Sequence, residues 1–272
     1  MHEDIFIELS WKEYLQNDSS PNSLLLNNIF VKCDIFLNFL SKFSLLDIDT
    51  PELRIMKGNK KQAGHKDGKI YIYEGLIEQF QNNEENDYIH LSKGVSLFFL
   101  YWVIAHEFFH YCQQHYKVKE KFGDSCNKAL EFDADRLALS ALYEFFLNSA
   151  PLEKLKFDVK ESFLICLFYP IRHKIKSENY IVFEDATHPF WMLRLYYMLT
   201  ELATFANSGA LSKESINDQI RLTKVLNNLE NDYKNNNLYS VDQTDLKYYL
   251  INHSVSDFKK LMDEFEVIRP LL

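Results

Sequence analysis

Residues 106–110 read His-Glu-Phe-Phe-His, two imidazoles four positions apart with a carboxylate directly after the first. On a helix, positions i and i+4 share a face, so His106 and His110 can grip one cation. Glu107, about 100° round the helix, can reach water held beside that cation. The motif follows an apolar run from Val95 to Ala105. Three ionisable groups on so apolar a helix are costly to bury unless something satisfies them. One zinc ion would do so. A catalytic zinc takes three protein ligands and keeps a fourth position open. The third ligand must come from another element, and Glu131 is suitably placed, far enough beyond His110 for one helix to end and a second to return. Asp135 follows one helical turn later. That E-x-x-x-D spacing suits a ligand plus a carboxylate that holds a ligating imidazole by its other ring nitrogen. Asp133 faces elsewhere and reads as solvated or as a cap. Read separately, the histidines are core residues with hydrogen-bond partners, and Glu131 and Asp135 form a charged helix face beside Lys128 and Arg136. Their occurrence together favours the metal.

The elements that would position these groups are mostly helical. Only 7 Gly and 6 Pro in 272 residues disfavour a turn-rich β architecture. Helical spacing of apolar residues predicts a helix over 24–43. Short strands are expected at Leu53 to Met56 and Lys69 to Tyr73, pairing with each other across a polar, turn-rich stretch at 58–68. The H-E-x-x-H helix should run from about 92 to about 116, and a charged connection should follow to about 125. A second helix is expected over 127–147, and another over 157–169, ending at Pro170. Thr187-His188-Pro189 should open a helix to about 205, with Pro189 at a tolerated first-turn position. Two more should fill 212–235 and 243–265. The fold class is therefore α+β, mostly α-helical. It is expected to form a single domain over 1–272, with a core at about 50–205 and helical segments 1–50 and 206–272 packed on it.

The net charge of −9 argues against a nucleic acid bound through its phosphates. The acidic N-terminus lacks the basic and apolar regions of a signal peptide, and the run at 95–105 is too short to span a bilayer. The expectation is a cytoplasmic chain without membrane insertion. Cys33, Cys112, Cys126 and Cys166 show no C-x-x-C spacing and read as buried, reduced thiols.

HEFFH followed by ALEFDADRLAL resembles the gluzincin metallopeptidases. Within them it is most similar to the compact minigluzincins, such as the HtpX and CAAX-prenyl-protease catalytic cores. The resemblance covers roughly residues 50–200. It takes in the strand at Lys69–Tyr73 with Glu74-Gly75-Leu76, and Thr187-His188-Pro189 with Arg194. It departs from the prenyl-protease relatives in having no transmembrane segments, and 1–50 and 205–272 have no counterpart. A soluble chain of this kind also resembles the Lit-type phage-exclusion peptidases.

The resemblance implies a zincin-like core and one Zn2+ held by His106, His110 and Glu131. It implies Glu107 as general base, Asp135 behind the ligands, and His188 and Arg194 as catalytic groups that stabilise the oxyanion. The expected activity is hydrolysis of a peptide bond in a protein or peptide substrate, in a phage-defence or regulatory or stress role, with an activator or inhibitor protein as a possible partner. Ile70, Tyr71 and Ile72 are expected to form an exposed edge strand that binds substrate by β-augmentation. The competing function is an inactive or structural-zinc helical interaction module. A deformylase also uses H-E-x-x-H but needs an upstream cysteine ligand, a role that neither Cys33 nor Cys112 fits.

Overall fold

Alternation of apolar and polar residues makes the strands. In Glu52–Met56 (β2) it is Leu53 and Ile55 that are buried, and in Lys69–Tyr73 (β4) it is Ile70 and Ile72. These two strands run parallel with Leu53 beside Ile70 and Ile55 beside Ile72, so the four side chains share one face. The computed structural model describes residues 8–17, 23–46, 48–60, 62–78, 92–149, 159–177, 191–204, 212–235 and 254–272. It is mostly helical with one small sheet of order β1-β2-β4-β3. Glu8–Ser10 (β1) lies antiparallel on β2, and Ala63–Lys66 (β3) lies antiparallel on β4. Asp67 and Gly68 both have positive φ (49° and 72°) and close the β3–β4 hairpin in two residues, as an Asp-Gly pair favours.

The chain divides into two compact units, Met1–Tyr116 with Ala141–Phe146, and Lys117–Ser140 with Leu147–Leu272. The first unit holds the sheet, Trp11–Asn17 (α1), Ser23–Phe43 (α2) and Ser92–Cys112 (α3). Helix α3 packs on β3 and β4, and α2 packs on α3. Phe36 is fully buried, with its ring 4.8 Å from Tyr101 and 4.9 Å from Phe145. Such pairs contribute about 0.5–1.5 kcal/mol each beyond area burial. At the end of α3, Gln114 takes φ 51°. That left-handed residue breaks the helix and starts His115–Phe122 (α4).

The second unit contains a 3-10 turn at Gly123–Cys126, then Asn127–Ser149 (α5), Val159–Ser177 (α6), Trp191–Thr204 (α7), Lys213–Asn235 (α8) and Ser254–Ile268 (α9). Helix α5 also supplies Ala141–Phe146 to the first unit. Helices α6, α7 and α8 pack on one another, and α9 packs on α7. Phe132 anchors this core against Tyr197 at 4.9 Å and Phe265 at 5.2 Å. The buried Lys160 donates to Asp218 at 2.6 Å, and Arg221 donates to both Glu161 and Asp218, tying α6 to α8.

Several expectations need correction. β4 is an interior strand, paired on both sides, and Ile70 and Ile72 are fully buried. Ile70, Tyr71 and Ile72 therefore offer no free backbone edge to a substrate. Among the described residues the outer strands are β1 and β3, and β3 lies in the stretch read as a turn. Helix α6 runs through Pro170, although proline there has no N–H for the Cys166 carbonyl. The expected connection at 117–125 is largely helix α4. Of the expected 243–265 helix, 254–265 lie in α9 as expected, and 243–253 lie outside the described residues. Thr187, His188 and Pro189 lie outside them. All four cysteines are unbridged, and burial pushes the thiols of Cys33, Cys112 and Cys166 well up, so none is a ready nucleophile. Among the described residues no helix is long and apolar enough to cross a membrane.

Candidate metal centre

Helical periodicity brings His106 and His110 together as the spacing requires. Both are buried, and their Nε2 atoms are 3.0 Å apart. Two imidazole nitrogens on one tetrahedral zinc, each at about 2.0–2.1 Å, stand about 3.3 Å apart. The observed separation is close to that, so the pair fits a single small cation. The Trp102 ring, one turn earlier at 5.9 Å from His106, walls the pair with apolar surface.

The other nitrogen of His110 is also engaged. Its Nδ1 lies 2.7 Å from Nδ1 of His115. Only one of these two nitrogens can carry the proton. With the proton on His110, its Nε2 keeps a lone pair directed at the His106 side, which is the tautomer a cation needs. His115 thus does for His110 what Asp135 was expected to do. Sequence reasoning missed it because a five-residue step lies off the His110 face of a continuous helix. The break at Gln114 turns it back.

Glu107 points to a second histidine. His65 Nδ1 lies 2.9 Å from Glu107 Oε2, and the His65 ring stacks parallel to His110 with centroids 5.6 Å apart. Burial alone would raise the Glu107 acid. The hydrogen bond from His65 and the nearby imidazoles of His106 and His110 outweigh it and hold the carboxyl below its usual range. Glu107 is therefore a carboxylate, ready to accept a proton. His65 was missed because Ala-Gly-His-Lys has no strand character of its own. The signal that could have found it is Asp67-Gly68: a two-residue hairpin there places His65 opposite Ile70.

On α5, Glu131 is half-buried and sits one turn before Asp135. Asp135 is completely buried. It accepts hydrogen bonds from Arg194 Nε at 2.7 Å and Nη2 at 2.6 Å, and a short one from the Tyr197 hydroxyl. Burial opposes the Arg194 charge, but the Asp135 carboxylate more than compensates and raises its pKa. Burial and the same carboxylate push the Tyr197 phenol up. Arg194 is thus spent on Asp135 and is not a free oxyanion donor. Asp133 is buried and bridged to Arg136, not solvated.

His106, His110 and Glu131 form the one group of metal-type side chains found among the described residues, with a candidate ligand atom from each lying within 4.8 Å of the others. Two imidazoles and one carboxylate are a donor set that suits zinc. No protein-family model, no curated protein and no solved structure matches this chain.

Proposed function

We propose that this chain is a zinc-dependent endopeptidase with a gluzincin-type site. The observation that carries the reading is the His106, His110 and Glu131 group within 4.8 Å, with Glu107 on the same helix turn. Zinc bound by these three residues supplies Lewis acidity toward a carbonyl and makes water acidic near neutral pH. The chain's own residues do the rest. Glu107 takes the proton of the attacking water and returns it to the leaving amine. His115 keeps His110 in its ligating tautomer. The Arg194 and Tyr197 donors hold Asp135, which stiffens the helix turn that carries Glu131. A substrate in extended form pairs along the outer edge of β3, a role that β4 cannot fill. Cleavage is therefore expected in loops and unfolded segments.

The test is proteome-wide mapping of new N-termini after expression of the wild type and of Glu107→Gln. Neo-N-termini confined to the wild type support the reading. Identical profiles, with both proteins loaded with zinc, overturn it.

A further inference from the structure

His65 belongs to no part of the motif, yet it touches the proposed base. In the β3–β4 register it sits opposite Ile70, whose side chain is fully buried. Directly opposed residues share a face of the sheet, so β3 turns His65 toward α3, which packs on that strand. Its Nδ1 meets Glu107 Oε2 at 2.9 Å, and its ring lies parallel to His110, tilted by only 8°. A glutamate has three rotatable bonds, and a free one at this position would spend most of its time aimed elsewhere. With Oε2 engaged by His65, Oε1 remains as the oxygen to take a proton, and the contact restricts the rotation of the carboxylate.

We propose that His65 is a positioning residue that aims the Glu107 carboxylate. Because His65 is itself a β3 residue, the strand that receives substrate and the aim of the base are linked through one side chain. A substrate segment that pairs along β3 thereby stiffens the residue that holds Glu107. This rests on Glu107 being the general base.

The test uses the zinc-loaded full chain and an unstructured casein as substrate. His65→Ala is expected to lower kcat about a hundredfold, the scale on which misplacing a catalytic group acts. KM should stay within about twofold and zinc content should not change. His65→Asn, whose amide nitrogen lies near the position of Nδ1, should recover most of the loss. Proton NMR gives a readout independent of turnover. One low-field imidazole N–H resonance should vanish in His65→Ala and equally in Glu107→Ala. An unchanged kcat in His65→Ala, loss of zinc from it, or a resonance that survives Glu107→Ala would each overturn the proposal. A chain that shows the coupled resonance but cleaves nothing contradicts the peptidase reading and not the contact.

Discussion

Replacing Arg194 by methionine should destabilise the protein sharply, with a size set by the environment of Asp135. That carboxylate has no exposure to solvent, and it accepts two hydrogen bonds from Arg194 and one from Tyr197. Removing one partner of a buried ion pair costs about 3–5 kcal/mol, because the other charge stays buried and uncompensated. Tyr197 still donates to Asp135 in the variant, which favours the lower end, about 3 kcal/mol. For a unit of this size that corresponds to a fall in Tm of about 6–12 °C. The assay is thermal and urea unfolding followed by circular dichroism. Asp135→Leu with Arg194→Met removes both charges and should be clearly more stable than Arg194→Met alone. Stability of Arg194→Met within about 1 kcal/mol of wild type would show that Asp135 does not depend on Arg194, and so would a double variant no better than the single. The alternative role for Arg194, as a donor at the reaction centre, predicts the opposite pattern: lost turnover with stability intact.

Other outcomes follow from the same contacts. His115→Ala removes the Nδ1–Nδ1 contact to His110 and should weaken zinc affinity about 10–100-fold, measured by competition with a chelator; unchanged affinity would mean that His115 does not orient the ligand. The Asp218 carboxyl is raised by burial but lowered more by Lys160 and Arg221, so its native pKa lies below the ordinary value. Its contribution to stability is then fully present above about pH 5, and is lost as pH falls through the usual aspartate value of about 3.9 toward the lower native one. The stability gap between wild type and Asp218→Asn should be wide at pH 7 and should narrow steadily as pH falls below about 4, as read from urea midpoints. A gap that stays constant across that range would remove the ion pair from the account.

What is legible in the sequence is what depends on local periodicity. The His106 and His110 pair and the Glu131 and Asp135 pair follow from a helical repeat, and so do the spans of α2, α3, α5 and α8. The partners of these residues are not legible, because they come from elements whose local signal is weak or interrupted. His65 arrives through a four-residue strand with no apolar alternation, ordered only by its hairpin. His115 arrives through one left-handed residue. Asp135 finds Arg194 and Tyr197 on α7, far along the chain, and nothing in the local pattern separates that buried pairing from a catalytic arginine. The sheet order is hidden for a similar reason. Ile70 and Ile72 alternate as well in an edge strand as in an interior one, and only the hairpin to β3 makes β4 interior.

Everything proposed for this site depends on one zinc held by two histidines and a glutamate. X-ray absorption at the zinc edge, on the purified chain loaded with one equivalent, tests it most directly. One tightly held ion is expected, with two imidazole nitrogens at about 2.0–2.1 Å, oxygen for the remainder and no sulfur. His110→Ala should abolish that spectrum, and Glu107→Gln should leave it intact. Sulfur ligation, or a wild-type spectrum that persists in His110→Ala, would contradict it.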